Sequence, residues 1–149
     1  MPYWRLYYHI VWATKGRMPT ITSDIEDKVH QRIGARAVME GGRVYAINGM
    51  EDHIHLVVSI PPSRMISKFI QIVKGSSAHL VKSELGIPFS WQDGYGIFSV
   101  GPKGIDAAIE YVIAQKLHHQ QGSTIEWLEY CSEHKEGPRR PARTFDQVP

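Results

Sequence analysis

Two histidines separated by one residue form the pattern in this sequence most able to do chemistry. His53 and His55 lie in "EDHIHLVVSI", whose other residues are mostly those of a buried β-strand. Because side chains alternate faces along a strand, the two imidazoles share one face, with Cβ atoms roughly 6.5–7 Å apart. Neutral imidazole is a common metal ligand, so the pair could hold one cation. Two half-exposed histidines on a sheet face would show the same pattern, and a metal site needs a third ligand.

A later helical segment carries a phenol and a carboxamide that could complete such a site. In "GIDAAIEYVIAQKLHH", Tyr111, Gln115 and His118 recur at helical spacing. Gln115 offers a neutral oxygen ligand and Tyr111 offers a nucleophile. An ordinary solvent-facing helix surface is the alternative, and spacing alone leaves it open. The opposite, apolar side of this helix consists of Ile105, Ile109, Val112 and Ile113.

Four strands and three longer helices are predicted to position these residues. The strands fall at 5–14, 43–49, 53–60 and about 97–100, and the short connection between the middle two predicts an antiparallel hairpin. The order β-α-β-β-α-β plus C-terminal helices predicts an α+β fold, with a ferredoxin-like or RRM-like antiparallel sheet and helices on one face.

Hydrophobic periodicity and capping residues predict where the helices lie. The first helix should begin with a capping box of Ser23 and Glu26 and end at Gly41. The second should be capped by Ser63, and the third should run unbroken over about 104–121, before a short final helix. The apolar stripe of the first helix consists of Ile25, Val29, Ile33 and Ala37.

The totals of the chain favour one globular domain in a reducing compartment. The 149 residues are 42% hydrophobic, which is enough for a core. No window approaches the roughly 18–20 apolar residues of a membrane helix, and no signal-peptide pattern occurs at the start. A single cysteine, Cys131, excludes an intramolecular disulfide framework, so a cytoplasmic protein is expected.

The C-terminal residues differ in composition from the rest. The net charge is only +2, but arginines and prolines crowd into the last residues. We therefore predict one domain over 1–134 and a flexible, basic, proline-rich tail over 135–149. A tail without function and a loose nucleic-acid contact are both open.

Several segments together resemble the single-tyrosine HUH transposases, which include small insertion-sequence enzymes and REP-associated tyrosine transposases. HUH denotes His, bulky hydrophobe, His, which here is His53-Ile54-His55. The resemblance runs from Tyr7 to about His119, through "YYHIVWATKGR", "IQIVKGSSAHLV", "WQDGYGIFSVG" and "IEYVIAQ". Two departures are Glu51, where many relatives have proline, and the poorly matched C-terminal helix.

The resemblance implies a role for each matching residue. Tyr111 would be the nucleophile, and His53, His55 and Gln115 would bind Mg²⁺ or Mn²⁺. The enzyme would cleave and rejoin single-stranded DNA at hairpin-bearing ends through a covalent 5′-phosphotyrosine intermediate. A homodimer is implied, with active sites that can be assembled in trans. No membrane or nucleotide cofactor is expected, and the sequence contains no P-loop pattern.

Contacts to DNA are expected from basic and aromatic residues, since lysines and arginines pair with phosphates and aromatic rings stack on unpaired bases. His118 could act as a spare base or a phosphate contact. Two alternatives stay open: a domesticated nuclease acting on repeated genomic palindromes, and a non-catalytic module that binds single-stranded nucleic acid. The candidate DNA contacts are Lys15, Arg17, Lys74, Trp91, Tyr95 and His118.

Overall fold

Four antiparallel strands form the sheet that carries the candidate site. They are β1 (Tyr7–Ala13), β2 (Arg43–Met50), β3 (His53–Ser59) and β4 (Gly96–Val100). The computed structural model describes residues 2–130, so the predicted tail over 135–149 lies outside the described residues. The strands are arranged in the order β2-β3-β1-β4, with every neighbouring pair antiparallel. The predicted α+β, ferredoxin-like arrangement is therefore confirmed.

The two helices that connect the strands pack on one face of the sheet, as predicted, and the C-terminal helices cover the other face. The longer ones are α1 (Glu26–Met39) and α2 (Ile66–His79), and α2 continues into a π-helical turn at Leu80–Glu84. The C-terminal helices are α3 (Ile105–Ile113) and α4 (Gln115–Gln121). Short 3₁₀ turns occur at Lys15–Arg17 and Glu126–Glu129. Among residues 2–130, no helix has both the length and the apolar content to cross a membrane.

The main hydrophobic core lies between the sheet and the pair α1 and α2. Val29 and Ile33 of α1 are completely buried there against Ile54 and Leu56 of β3. Each such side chain contributes roughly 1.5–3 kcal/mol by leaving water. The predicted apolar stripe of α1 is thereby confirmed, and the core holds one face of β3 rigidly in place.

Both predicted serine caps are wrong. Helix α1 begins at Glu26 and α2 at Ile66, and neither has a side-chain cap hydrogen bond. The chain instead enters each helix through a backbone turn: Glu26 N donates to Thr22 O at 3.0 Å, and Arg64 N donates to Pro61 O at 3.0 Å. These turns shift each helix start three residues beyond the predicted serine.

The predicted helix over 104–121 is broken at Ala114. This residue has φ −87° and ψ 16°, which separates α3 from α4. The predicted apolar side is also partly wrong, because Ile113 is 63% exposed, whereas Tyr111 is 6% exposed and Gln115 is fully buried. The reason is that these two polar side chains find partners on the second face of the sheet, which the C-terminal helices cover.

Candidate active site

The histidine pair lies on this second face, at the centre of the sheet. His53 is 2% exposed and His55 is completely buried, so the half-exposed alternative is wrong. Strand β3 is central, and its intervening residue Ile54 enters the main core. Burying two imidazoles is unfavourable unless each ring nitrogen has a partner, so the partners define what the pair can do.

The Nδ1 atoms of both rings already have hydrogen-bond partners. Asp52 Oδ1 lies 2.6 Å from His53 Nδ1, and His9 Nε2 lies 2.7 Å from His55 Nδ1. Asp52 is itself held by its backbone, because Thr14 N donates to Asp52 O at 2.8 Å. Partners of this kind orient histidines that bind metals. Both Nε2 atoms therefore point into one shared space.

A carboxylate occupies this shared space. Glu129 Oε2 lies 2.8 Å from His55 Nε2 and 3.3 Å from His53 Nε2. Potential ligand atoms of these three residues all lie within 4.8 Å of one another, as a common cation would require. Sequence reasoning missed both Glu129 and His9. Glu129 falls in the segment least similar to the HUH family, whereas a polar residue inside an apolar central strand was an available signal for His9.

Tyr111 and Gln115 converge on the same carboxylate. The Tyr111 hydroxyl donates to Glu129 Oε1 at 2.5 Å and accepts a hydrogen bond from Ile125 N at 3.0 Å. Gln115 Oε1 lies 3.0 Å from His53 Nε2, and its amide nitrogen is 3.3 Å from Glu129 Oε1. One chain thus brings together the four residues that the sequence singled out as nucleophile and ligands.

Two more histidines flank the site. His118 stacks on Tyr111, with ring centroids 4.8 Å apart and planes inclined by 23°, and its Nδ1 lies 3.0 Å from Ser123 Oγ. The ring of His119 lies 5.0 Å from that of His53. Sequence reasoning placed His118 on the tyrosine face and did not single out His119.

Buried histidines and carboxylates in the site shift one another's pKa values. Burial alone would lower the pKa of His53, but the hydrogen bonds that it donates to the carboxylates of Asp52 and Glu129 raise the pKa to about 9. Burial lowers the pKa of His9 to about 3 and also lowers that of His55. At Glu129, hydrogen bonds from His53 and His55 outweigh the effect of burial and hold the pKa of the carboxyl well below its usual range.

Tyr111 is held as a neutral phenol. Burial raises its pKa well above 10, and the hydrogen bond to the Glu129 carboxylate raises it further.

Two Nε2 atoms, an amide oxygen and a carboxylate form a mixed nitrogen and oxygen donor set, which fits a divalent cation such as Mn²⁺. A cation there would replace the positive charge that the imidazolium of His53 provides beside Glu129.

Two candidate DNA contacts, Lys15 and Arg17, belong to a turn beside this site. Arg17 belongs to the exposed 3₁₀ turn after β1, and its Nη1 is 3.7 Å from Asp52 Oδ2. Lys15 is exposed in the same turn. The turn therefore carries positive charge beside the residue that orients His53.

The remaining DNA candidates line a separate cleft between α2 and the loop before β4. Its volume is about 400 Å³, and Lys74, Trp91 and Tyr95 are among the lining residues. Lys74 Nζ donates to Gln92 O at 2.8 Å and to Gly94 O at 2.9 Å, so this lysine fixes the loop. Trp91 Nε1 donates to the Lys74 carbonyl at 3.0 Å, which ties the loop to the helix a second time.

The fold and the convergence of a tyrosine with a histidine pair define a DNA-processing enzyme of the transposase class. The family model described as "Transposase IS200 like" matches residues 2–115. The chain therefore belongs to the IS200-like transposase family, which confirms the resemblance drawn from its motifs.

Two curated relatives are transposases of insertion sequences. The ISDra2 transposase TnpA of Deinococcus radiodurans is 26% identical over 119 residues, covering 75% of this chain and 85% of the relative. The transposase for insertion sequence element IS200 of Salmonella typhimurium is 28% identical over 105 residues, covering 66% and 69%.

Two solved structures share the fold. A crystal structure assigned to a Deinococcus radiodurans transposase has a TM-score of 0.62 and 24% identity, covering 83% of this chain and 95% of that one. A REP-associated tyrosine transposase bound to a REP hairpin has a TM-score of 0.61 and 13% identity, covering 83% and 76%.

Proposed function

We propose that the chain is a metal-dependent transposase that cleaves and rejoins single-stranded DNA at hairpin-bearing ends, through a covalent 5′-phosphotyrosine at Tyr111. The observation that carries this proposal is the convergence of the Tyr111 hydroxyl and two histidine Nε2 atoms on one carboxylate. The hairpin is proposed because a solved structure of similar fold is a REP-associated transposase bound to a REP hairpin.

The proposed reaction exchanges one phosphate ester for another. The Tyr111 oxygen forms a bond to phosphorus, the bond from phosphorus to the 3′ oxygen breaks, and the phenolic proton ends on the released 3′ hydroxyl. The 3′ hydroxyl of a second DNA end then attacks the phosphotyrosine and restores the phenol. Phosphoester energy is retained throughout, so no nucleotide cofactor is required.

The residues around Tyr111 prepare this step by position. His118 stacks on the phenol ring, and the backbone of Ile125 fixes the hydroxyl, so little rotational freedom remains to be lost at the moment of attack. His53, His55 and Gln115 would hold Mg²⁺ or Mn²⁺, which supplies polarisation of the phosphate and stabilisation of the leaving oxygen. Asp52 and His9 keep the ligand nitrogens oriented.

The resemblance also implies a homodimer whose sites can be assembled in trans. In the described residues, Tyr111 lies on the same chain as the histidines it faces, with its ring centroid 6.0 Å from that of His55. We therefore propose that Tyr111 can act beside the histidine pair of its own chain, and assembly in trans within a homodimer stays open.

The test is a covalent adduct between protein and DNA. The protein is incubated with single-stranded hairpin DNA and Mg²⁺ or Mn²⁺, then resolved on a denaturing gel. Wild type should form an adduct, whereas Tyr111→Phe should bind the DNA without forming one. Tyr3→Phe is the matched control, because Tyr3 is 86% exposed, and it should form the adduct normally.

Two results would contradict the proposal. Absence of any adduct from wild type with genuine element ends would favour the non-catalytic binding module. Persistence of the adduct in Tyr111→Phe would show that another residue is the nucleophile. The domesticated-nuclease alternative predicts the same adduct, and genomic context separates it: flanking element ends indicate a mobile element, and dispersed palindromes indicate a domesticated enzyme.

A further inference from the structure

We propose that Glu129 is a further ligand of the divalent cation and also holds the Tyr111 hydroxyl, so that one carboxylate connects the metal position to the nucleophile. This inference rests on the proposed function. The two oxygens of Glu129 face different partners. Oε2 lies 2.8 Å from His55 Nε2, and Oε1 accepts a hydrogen bond from the Tyr111 hydroxyl at 2.5 Å. Both oxygens of a carboxylate can accept, so one oxygen can face the metal position while the other holds the hydroxyl.

The turn that carries Glu129 is fixed on the histidine face of the sheet. Leu128, next to it, is 8% exposed and packs in a cluster with Val57 and Tyr111. The Trp127 ring packs edge-on against Phe98 of β4, with centroids 5.1 Å apart. These contacts place Glu129 by packing, so its approach to the histidines is not an accident of one side-chain rotamer.

Gly96 in β4 allows the backbone of Tyr130 to lie directly against the sheet. A Cβ atom built on Gly96 would lie 2.0 Å from the carbonyl oxygen of Tyr130, a distance that a real Cβ does not reach. The residue that follows Glu129 can therefore lie against the sheet only because position 96 has no side chain. Neither Gly96 nor Tyr130 is a proposed ligand, but their close contact places the neighbouring Glu129 carboxylate beside the histidines.

Charge gives the second reason for a carboxylate ligand. His53, His55 and Gln115 are neutral as ligands and almost fully buried, so a doubly charged cation among them would be poorly compensated. Asp52 faces Nδ1 of His53 and not the space between the two Nε2 atoms. Among the described residues that could serve as metal ligands, Glu129 groups with the histidine pair and supplies a negative oxygen, completing a set of two histidines and one carboxylate.

Calorimetry with Mn²⁺ on the DNA-free protein tests the proposal. Glu129→Gln keeps the size and removes the charge, and we expect the Kd for Mn²⁺ to rise by about 10–100-fold. The matched control is Glu126→Gln in the same turn, whose carboxylate accepts from the Tyr130 hydroxyl at 2.7 Å and should leave the Kd for Mn²⁺ within about twofold of wild type. Tyr111→Phe should also bind Mn²⁺ normally, because the phenol is not a ligand.

An unchanged Mn²⁺ affinity in Glu129→Gln would overturn the inference, as would a gain of adduct formation in that variant. Circular dichroism of each variant separates loss of a ligand from loss of fold, and Glu129→Asp, which keeps the charge, should retain part of the affinity if the fold is intact. Failure of this inference is distinct from failure of the proposed function, which requires that wild type itself form no adduct.

Discussion

Replacement of Gly49 by alanine should strongly destabilise the protein, because an added methyl group would collide with the neighbouring strand. Gly49 lies in β2 opposite Ile54, beside the first histidine. A Cβ atom at this position would lie 2.1 Å from the backbone oxygen of His53, so β2 and β3 must separate by about 0.9 Å to reach the 3.0 Å below which real Cβ contacts essentially do not occur. Strand β3 cannot yield easily because it is paired on both sides, and the edge strand β2 is held by its contacts with α1, α3 and α4.

The magnitude follows from this separation. Overpacking of a rigid interior costs about 1–3 kcal/mol. A displacement of this size also weakens neighbouring ladder hydrogen bonds, each worth about 0.5–1.5 kcal/mol. The free energy of unfolding of Gly49→Ala should therefore fall by about 2–5 kcal/mol, which is a large part of the total for a domain of this size.

The assay is urea unfolding followed by tryptophan fluorescence. Gly34→Ala is the control, since Gly34 lies within α1 and its added Cβ would meet nothing within 4 Å. This control should be more stable than wild type by about 0.5–1 kcal/mol, because alanine favours a helix. An unchanged urea midpoint for Gly49→Ala, with the control shifted as expected, would refute the reasoning.

Two other predictions concern the loop at the cleft and a buried histidine. Lys74→Met should lower the free energy of unfolding by about 1.5 kcal/mol, since it removes charged hydrogen bonds to Gln92 O and Gly94 O. Lys82→Met, an exposed change in the same cleft, should cost less than about 0.5 kcal/mol, and equal effects of the two in urea unfolding would contradict the role of Lys74. Burial lowers the pKa of His30 below 6.5, against an opposing effect of nearby Glu26 and Asp27 and a reinforcing one of Lys116. Since the fold prefers the neutral ring, this contribution to stability is complete above pH 6.5 and declines as the pH falls below it. An NMR titration of the His30 ring checks this, and a midpoint at or above 6.5 would contradict it.

The sequence predicted the features that follow from periodicity. Strand alternation placed His53 and His55 on one face, with Ile54 in the core between them, and the structure agrees. The stripe of α1 was predicted in the same way. Such patterns succeed because burial of one face is the dominant local constraint on a strand or a helix.

Other features depend on tertiary contacts that leave no local pattern. The break at Ala114 involves neither glycine nor proline, and it lies between Tyr111 and Gln115, which are both buried against the sheet. Glu129 lies in a short 3₁₀ turn without periodicity, and only packing brings it to the histidines. The meeting of Tyr111 with the histidine pair was expected from family resemblance, since nothing in the spacing of the two motifs requires it.

The strand order also determines when this fold can form during synthesis. Strand β1 lies between β3 and β4, so the first strand to be made pairs with one partner about 45 residues later and with the other about 90 residues later. At roughly 5–20 residues per second, the ribosome needs several seconds to supply both. The histidine pair emerges in the middle of this interval, and the tyrosine and Glu129 follow only after the last strand. A partly made chain therefore carries the histidine pair before it has Tyr111, and the phenol joins a sheet whose four strands have already been made.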